Sequence, residues 1–318
     1  MSFSSEVKEE LSHLPCGEQH CVIAELAAII SLCGDINRTS SGDYRLDLHT
    51  ENAAAARRYY TLIRSAFDIQ PGVSARKHNY LKKSRTFRIS VDRPGDALMI
   101  LRATGLMNNL GQIDEYHSKT HDPMLQNTCC RRAFLRGAFL SSGSVTDPEK
   151  NYHFEITCAD YEIAEQVREL FLVFGLEAKI VLRKKNYIVY LKEGAMISDA
   201  LNITGAHISM MKFENVRIVK DVRNSVNRRV NCETANINKT VSAARKQIED
   251  IEYIQKAAGL DRLPANLRDV AAVRLEEQDA SLKELGEMLD PPVGKSGVNH
   301  RLRKISQIAK NLREHGHM

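Results

Sequence analysis

The chain has 318 residues, a length with room for about two or three globular domains. Of these residues 43% are hydrophobic and none is tryptophan. Its 45 basic and 40 acidic residues leave a formal net charge of +5 at pH 7. This excess is concentrated in residues 76–93 and 291–318, and two basic zones on a nearly balanced chain indicate a polyanion such as nucleic acid as a partner. No apolar run reaches the ~18 residues that a membrane span needs, so we expect no membrane association.

The first predicted element is an N-terminal helix within residues 1–20. Phe3, Val7 and Leu11 lie on one face of this helix, with acidic residues between them. A secretory signal is basic and then continuously apolar, so this segment is not one. We therefore expect a cytoplasmic protein whose seven cysteines are reduced.

Two cysteine-containing stretches raise the question of a metal site. The adjacent Cys129 and Cys130 open a predicted helix, where neighbouring side chains point apart. We therefore predict no metal and no other cofactor, and interpret these thiols as reduced and structural. The stretch "HLPCGEQHC" fits no standard zinc pattern and is interpreted as a connection between helices, although it contains four potential ligands: His13, Cys16, His20 and Cys21.

The chain contains an internal duplication. The stretch "LAAIISLCG" (26–34) aligns with "LRGAFLSSG" (135–143) at an offset of 109 residues. Both have the small-residue spacing of a helix that packs closely on another, and we predict that Gly137, Ser141 and Gly143 let the two helices touch. Similar patterns then follow each copy: a strand (44–52 and 152–160), a helix (53–67 and 161–175) and a strand pair (72–92 and 176–193), with a further strand expected just after each motif helix.

The turns of both predicted strand pairs are basic, "RKHNYLKKSR" in the first repeat and "LRKKNY" in the second. Lysine and arginine on a strand pair suit a duplex backbone, whereas the alternative is a solvated hairpin tip. The residues predicted as secondary DNA contacts are Lys82, Lys83, Arg85, Arg183, Lys184 and Lys185.

Two repeats, each opened by a helix that ends in a small residue and glycine, resemble the LAGLIDADG homing endonucleases. The resemblance implies that the two motif helices pack side by side on a pseudo-two-fold axis, with a metal-binding acid just before each final glycine. Cys33 and Ser142 stand at those positions, and neither is the carboxylate that metal-assisted phosphodiester cleavage needs. We therefore expect a nuclease-inactive scaffold with no catalytic residue, and no enzyme. The alternative is a residual metal-dependent endonuclease that uses Asp35 and Glu25.

Short helices are predicted from about Leu263 to the end of the chain. Ser281 and Glu284 have the spacing of a capping box, and the "DPPVG" stretch interrupts the helical pattern. The last helix is predicted to start at Ser296 as its N-cap. Its inward positions are Val298, Leu302, Ile305 and either Ile308 or Ala309.

The other positions of the last helix form a polar, basic face, which predicts a helix-turn-helix that reads DNA. Arginine pairs with guanine and asparagine with adenine in the major groove, while lysine and serine reach phosphate. The alternative is a basic amphipathic helix that is solvated at the chain end. The predicted DNA contacts are Lys295, Ser296, Asn299, His300, Arg301, Arg303 and Lys304.

Residues 206–259 are predicted to form a helical linker. Its Asn-rich segment, 224–239, is too polar for a core, and a hinge and a phosphate-contacting segment remain open as its role. The latter part has an apolar stripe that is expected to pack on a neighbour: Val241, Ala244, Ile248, Ile251 and Ile254.

Five stretches spread over nearly the whole chain resemble the WhiA family of bacterial transcription regulators, which is associated with sporulation and cell division: "MSFSSEVKEELSHL", "AELAAII", "RRAFLRGAFLSSGSV", "RNSVNRRVNCETANINKT" and "SLKELGEML" with "GVNHRLRKI". The resemblance implies an α+β fold in which a duplicated LAGLIDADG-like saddle precedes a helical linker and an all-α helix-turn-helix domain. The expected segments are the N-terminal helix at 1–20, the saddle at 21–205 with repeats at 21–105 and 129–205, the linker at 206–259, and the helix-turn-helix domain at 260–318.

The same resemblance implies a function. The chain would bind promoter DNA and control genes of sporulation, cell division and chromosome segregation, with RNA polymerase as a partner. In some lineages a WhiB-type iron–sulfur protein would also be a partner. We expect the protein at the nucleoid in the cytoplasm, and as a monomer, because the pseudo-symmetric repeat supplies internally what a dimer would.

Overall fold

The chain forms two compact units, Met1–Lys220 (unit 1) and Asp221–Met318 (unit 2). The predicted α+β class is confirmed, because unit 1 combines helices with two antiparallel sheets while the described part of unit 2 consists of helices and turns. No helix among the described residues is long and apolar enough to cross a membrane. The computed structural model describes residues 2–38, 42–77, 85–107, 113 and 122–315.

Helix α1 (Phe3–Ser12) opens unit 1, inside the segment predicted as helical. Its Phe3, Val7 and Leu11 are buried in the core of the unit, as the sequence pattern predicts. The Ser2 side chain accepts a hydrogen bond from the Ser5 amide at 3.2 Å and so caps the helix. A connection then leads to the first motif helix.

The two repeats have the same order of elements, and each also ends in a helix that the sequence analysis missed. The first repeat comprises α2 (Gln19–Cys33), β1 (Gly34–Arg38), β2 (Tyr44–Thr50), α3 (Ala53–Phe67), β3 (Gly72–Lys77), β4 (Arg85–Val91) and α4 (Pro94–Ala103). The second comprises α5 (Thr128–Ser142), β5 (Gly143–Val145), β6 (Phe154–Cys158), α6 (Tyr161–Val173), β7 (Lys179–Arg183), β8 (Asn186–Leu191) and α7 (Gly194–Thr204).

Each repeat builds one four-stranded antiparallel sheet, with the strand orders β1-β2-β4-β3 and β5-β6-β8-β7. The strands expected just after the motif helices are present as β1 and β5, and Gly34 pairs with Leu48 as Gly143 pairs with Ile156. Apolar side chains alternate along the central strands and point to the helices, as Leu46 and Leu48 do in β2. The duplication predicted from the sequence is therefore a duplication of the fold.

The motif helices α2 and α5 pack directly on each other, and Gly137 allows their close approach. A Cβ atom at Gly137 would lie 2.4 Å from the carbonyl oxygen of Glu25 and 3.2 Å from the Cβ of Ala28. No side chain fits there, because real Cβ contacts do not fall below about 3 Å. The predicted role of Gly137 is confirmed.

The predicted role of Gly143 in the helix contact is wrong. A Cβ atom there would meet Phe139 of the same helix at 2.4 Å, and Gly34 is in the same position with respect to the Ile30 carbonyl oxygen at 2.5 Å. Both glycines adopt extended backbone angles and pass the chain from helix to strand. The lack of a side chain at these two glycines is needed where each motif helix ends, because a Cβ atom would clash with the same helix. It is not needed at the contact between the two helices.

Helix α8 (His207–Ala257) is a single helix of 51 residues that passes through the predicted linker. The Asn-rich segment 224–239 lies in its exposed middle part, where residues 221–243 are all exposed. Ile251 and Ile254 are buried as predicted. Val241 is 59% exposed, so its assignment to the packed stripe is wrong, because the buried part of the helix starts later.

Unit 2 continues with α9 (Ala265–Glu276), α10 (Leu282–Glu287) and α11 (Lys295–His315). The predicted capping box is present: the Glu284 amide donates to Ser281 Oγ at 3.4 Å and the Ser281 amide donates to Glu284 Oε2 at 2.7 Å. The predicted inward positions of α11 are also confirmed, with four of them buried and Ile308 packed at the edge: Val298, Leu302, Ile305 and Ala309.

The assignment of Ser296 as the N-cap of the last helix is wrong. Helix α11 begins at Lys295, and the carbonyl oxygen of Gly294 accepts the first helical hydrogen bond from the Val298 amide at 3.1 Å. Ser296 is thus the second residue of the helix, and its side chain is exposed. Serine near a helix start is typical of an N-cap, but here the preceding Gly294 fills that position without a side chain.

Candidate nucleic-acid interface

Helix α11 has one buried and one exposed side. Ser296, His300, Arg303 and Lys304 are exposed, and at about 100° per residue they fall on the side opposite the buried Leu302. A basic helix face with its opposite side anchored in a core is the geometry that helix-turn-helix domains place in the major groove.

The remaining predicted contacts of α11 lie at the edges of this exposed side. Lys295 is exposed at the first residue of the helix, and Asn299 is half-buried one turn later. Arg301 is half-buried on the flank towards α9, where its Nη1 donates to the carbonyl oxygen of Asn266 at 3.4 Å. The structure thus brings Lys295, Asn299 and Arg303 to one side of the helix and Arg301 to the other.

Two lysines that the sequence analysis missed lie beside this face. Lys239 of α8 and Lys283 of α10 line the same groove within unit 2 as Lys295 and Asn299. The groove places the end of the Asn-rich segment close to the start of α11. A count of lysines alone does not find this relationship, because the three helices meet only in the folded unit.

Arg313 contributes to the basic charge of the chain end but has a structural partner. Its Nη1 donates to Asp250 Oδ1 at 2.8 Å, and its guanidinium lies 4.7 Å from the centre of the Tyr253 ring. Asp250 is buried, so this pair attaches the end of α11 to α8 within unit 2.

The basic residues predicted in the hairpins of unit 1 divide into two sets. Lys184 and Lys185 form the two-residue turn between β7 and β8, with Arg183 at the end of β7, and all three side chains are exposed. Arg85 is exposed at the first residue of β4. Lys82 and Lys83 lie outside the described residues.

The face of the first sheet that alternates with Leu46 and Leu48 carries acids and bases that pair with each other, and the central acid, Asp47, is buried. Arg88 donates to Asp47 through two bonds of 2.8 and 2.6 Å, and His49 Nε2 lies 3.2 Å from Asp35 Oδ2. These pairs neutralise much of the charge, so the face attracts a phosphate backbone less than a free row of arginines would.

The ends of the motif helices do not fit the catalytic metal of homing endonucleases. Cys33 Sγ donates to the Ile29 carbonyl oxygen at 3.1 Å, and burial raises the pKa of the Cys33 thiol, which keeps it neutral near pH 7. Ser142 Oγ is buried and has no hydrogen-bond partner among the described residues. The ammonium group of Lys8 acts electrostatically on Cys33. A neutral thiol, a hydroxyl and a nearby cation make a poor site for a hard divalent ion.

The two acids proposed for a residual endonuclease are engaged elsewhere. Glu25 is 1% exposed and binds the guanidinium groups of Arg58 and Arg136. Asp35 is exposed on β1 and faces His49. Ten residues separate Glu25 from Asp35, and most of them belong to α2. The two side chains therefore lie far apart along the axis of this helix and do not form one site.

The thiols of Cys129 and Cys130 do not point apart, contrary to the prediction. Both sulfurs lie within 4.8 Å of the ligand atoms of His20 and Cys21, which come from the other repeat. His13, which the sequence analysis grouped with these ligands, instead places its Nδ1 2.8 Å from the Glu9 carbonyl oxygen. Two adjacent side chains in the first turn of one helix can therefore belong to a single cluster when the start of a second helix supplies the other two side chains, here His20 and Cys21.

Three family models match successive parts of the chain. The WhiA N-terminal LAGLIDADG-like domain matches residues 19–107, the WhiA LAGLIDADG-like domain residues 131–223, and the WhiA C-terminal HTH domain residues 226–309. The last of these contains α9, α10 and most of α11, so the chain carries a helix-turn-helix domain of the WhiA type.

Whole-chain relatives agree with these domain matches. The "Probable cell division protein WhiA" of Lachnoclostridium phytofermentans is 49% identical over 317 residues, covering 99% of this chain and 100% of the relative. The protein of the same name from Alkaliphilus metalliredigens is 46% identical, covering 98% of this chain and 99% of the relative. The crystal structure of full-length DUF199/WhiA from Thermatoga maritima matches with a TM-score of 0.57 and 27% identity, covering 98% of this chain and 99% of the other. With its two LAGLIDADG-like repeats, its helix-turn-helix domain and near-complete matches to these relatives, the chain belongs to the WhiA family.

Proposed function

We propose that this chain is a transcription regulator that binds promoter DNA through α11 and does not cleave it. The observation that carries the proposal is the exposed side of α11, where Ser296, His300, Arg303 and Lys304 face solvent while the opposite side is anchored in the core of unit 2. A helix presented in this way fits the major groove of B-DNA.

Base recognition falls to the first three turns of α11, which begin at Lys295 and include Arg303. Arg303 has the length and fork geometry to bond a guanine edge bidentately, and Asn299 suits adenine. Ser296 and His300 are exposed on the same helix, next to Arg303 on the side away from the core. Arg301 is a flanking contact, since its guanidinium already reaches α9.

Phosphate contacts surround this reading face. Lys295 and Lys304 lie on α11 itself, and Lys239 and Lys283 reach the same groove from α8 and α10. Charges of this kind set the position and affinity of the protein on DNA but carry little sequence information. The hairpin residues of the saddle, Arg85 and Arg183–Lys185, make further contacts to the DNA backbone that add less to affinity than α11 does.

The LAGLIDADG-like saddle acts as a scaffold without nuclease activity. The support for this is chemical: Cys33 and Ser142 cannot hold a hard divalent ion, and Glu25 is bound by two arginines. Plasmid cleavage in magnesium or manganese is the test. Cutting that is lost in Asp35→Asn would contradict the proposal.

The relatives carry the name cell division protein, and we assign this chain the same process. It controls genes of cell division, sporulation and chromosome segregation at the nucleoid, in the cytoplasm, with RNA polymerase as a partner and a WhiB-type protein in some lineages. The protein acts as a monomer, with the saddle at 21–205, the linker at 206–259 and the reader at 260–318.

Genome-wide mapping of the DNA bound by the full chain tests this assignment. The expected result is a small set of promoters that share one sequence, including promoters of division genes. Binding spread evenly over the genome, or enriched only within coding regions, would contradict promoter recognition. An electrophoretic mobility shift with one mapped promoter then measures affinity, which should fall steeply with salt because several phosphates are contacted.

A further inference from the structure

Four histidine and cysteine side chains, both types that can ligate a metal, converge at one point in unit 1. His20 and Cys21 come from the start of α2, and Cys129 and Cys130 from the start of α5. One ligand atom from each of the four lies within 4.8 Å of the other three. His20 Nδ1 is 3.1 Å from Cys130 Sγ and 3.3 Å from Cys21 Sγ, so a histidine nitrogen stands among the sulfurs.

The cluster follows the symmetry of the repeat. Each pair occupies the second and third residues of its motif helix, and the pairs are 109 residues apart, the same offset that relates the two motifs. Each repeat therefore supplies two ligands at the amino end of its helix. Cys33 and Ser142 stand at the carboxyl ends, about 20 Å away along the helices at a rise of 1.5 Å per residue. The cluster is thus separate from the position of the catalytic metal in homing endonucleases.

We propose that His20, Cys21, Cys129 and Cys130 bind one structural Zn²⁺ ion that holds the two motif helices together at their amino ends. Three thiolates and one imidazole are a standard ligand set for tetrahedral zinc. Zinc bonds of about 2.3 Å to sulfur and about 2.0 Å to nitrogen leave ligand atoms roughly 3.5–3.8 Å apart. The widest separations, which are at most 4.8 Å, need to close by about 1 Å, and His20 Nδ1 needs to move slightly away from the two sulfurs that it now approaches at 3.1 and 3.3 Å.

The ligand types select the metal and the role. Thiolate and imidazole favour zinc over the hard ions magnesium and calcium, which prefer oxygen. Four protein ligands leave no open position for a substrate, so the ion is structural and not catalytic.

The local electrostatics favour the bound form. Three thiolates, one neutral imidazole and Zn²⁺ carry a net charge of −1, and this charge lies at the amino ends of two helices, where the dipoles stabilise anions. His20 and Cys129 are exposed while Cys130 is buried, so the ion can enter from solvent and complete its coordination inside. Zinc binding to the folded chain then adds to its stability.

The test measures metal content and cobalt spectra on the full-length chain. Protein purified under reducing conditions and supplied with zinc should hold about one ion per chain, and Cys21→Ser and Cys129→Ser should each weaken zinc binding about tenfold or more. Cys232→Ser is the matched control, because Cys232 is an exposed cysteine of α8 outside the cluster. Replacing zinc by Co²⁺ should give the intense visible absorption of tetrahedral cobalt thiolate, and that absorption should be lost or shifted in both cluster variants but not in the control.

Three results would overturn the proposal. The first is wild-type chain that takes up no stoichiometric zinc or cobalt while remaining folded by circular dichroism. The second is a cluster variant that binds zinc as tightly as the Cys232→Ser control. The third is a disulfide between Cys21 and Cys129 or Cys130 that persists under reducing conditions. If a cluster variant fails to fold, protection of Cys129 from alkylation by zinc in the wild-type chain decides the question in the same way.

Discussion

Arg136 of the second motif helix donates to Glu25 of the first, with 2.9 Å between Arg136 Nε and Glu25 Oε2. The same carboxylate accepts from Arg58 Nε at 2.8 Å and from Arg58 Nη2 at 2.9 Å. Arg136 belongs to the other repeat, so one buried carboxylate joins α2, α3 and α5. The interface between the repeats is thus held by a buried charge cluster as well as by the close approach at Gly137.

Replacing Glu25 by Gln should destabilise unit 1 strongly. The variant leaves Arg58, which is almost fully buried, and Arg136 without an anionic partner, and breaking a buried pair in this way costs about 3–5 kcal/mol. Thermal or urea unfolding of the full chain measures the loss. Glu9→Gln is the control, because Glu9 pairs with Arg57 at the surface, and there the cost should stay below about 1 kcal/mol. An equal loss of unfolding free energy in Glu25→Gln and Glu9→Gln would contradict a stabilising role of the buried charge cluster.

Replacing Gly137 by Ala should also destabilise unit 1, by about 1–3 kcal/mol, because the added Cβ would lie 2.4 Å from the Glu25 carbonyl oxygen and the motif helices would have to separate. Unfolding midpoints in urea provide the measurement. Gly95→Ala in α4 is the matched control, since a Cβ there meets nothing within 4 Å and alanine is the better helix former. A Gly137→Ala variant as stable as the Gly95→Ala variant would show that the helices do not need this contact.

The stability of the chain should depend on Lys8 between about pH 8 and 10.5. Burial lowers the pKa of Lys8 from 10.5 to about 8, although Cys33 raises it in part. Between these values the unfolded chain holds the lysine proton and the folded chain does not, so the contribution of Lys8 to the free energy of unfolding rises with pH. Below pH 8 the desolvated charge is a cost of about 3 kcal/mol at most, at 1.36 kcal/mol for each pKa unit.

Lys8→Met should therefore be more stable than the wild type at pH 7, and the gap should close as the pH rises towards 10.5. Urea unfolding at a series of pH values gives the difference directly. Lys150→Met, at an exposed turn, should change the free energy of unfolding by less than about 0.5 kcal/mol. A gap that stays constant or widens with pH would show that Lys8 is charged in the folded chain.

Local patterns in the sequence predicted much of the fold. The duplication at an offset of 109 residues, the strand after each motif helix and the Ser281–Glu284 capping box are all present. Each of these features depends on residues that are close in the sequence or repeated within it. Hydrophobic periodicity and capping chemistry are sufficient to predict such local features.

The features that the sequence did not predict depend on contacts between distant residues. Cys130 meets His20 across 110 residues, and Arg136 meets Glu25 across 111. Lys239 reaches the groove beside Lys295 only because α8 and α11 pack together. Side-chain periodicity shows which face of a helix is buried, but it does not show which other helix covers that face.

The saddle hairpins should contribute less to DNA binding than α11. Changing Lys184 and Lys185 together to Ala removes two charges from an exposed turn of unit 1. We expect a loss of affinity of about threefold or less for a mapped promoter, with a small change in salt dependence, because these are backbone contacts at most. Fluorescence anisotropy with labelled promoter DNA measures it. A loss larger than that of the matched change at Arg303 and Lys304 would move the main interface to the saddle.

DNA reading by α11 is tested by the affinity of the full chain for one mapped promoter and for unrelated DNA, measured with Arg303 and Lys304 both changed to Ala. We expect a loss of affinity of about tenfold or more for the promoter, at about 1–3 kcal/mol for a base contact, and a smaller ratio between promoter and unrelated DNA. Arg168→Ala, at a half-buried arginine of α6 in unit 1 that pairs with Glu165, should bind as the wild type does. An Arg303/Lys304 variant that binds the promoter with unchanged affinity and preference would contradict the assignment of α11 as the DNA reader.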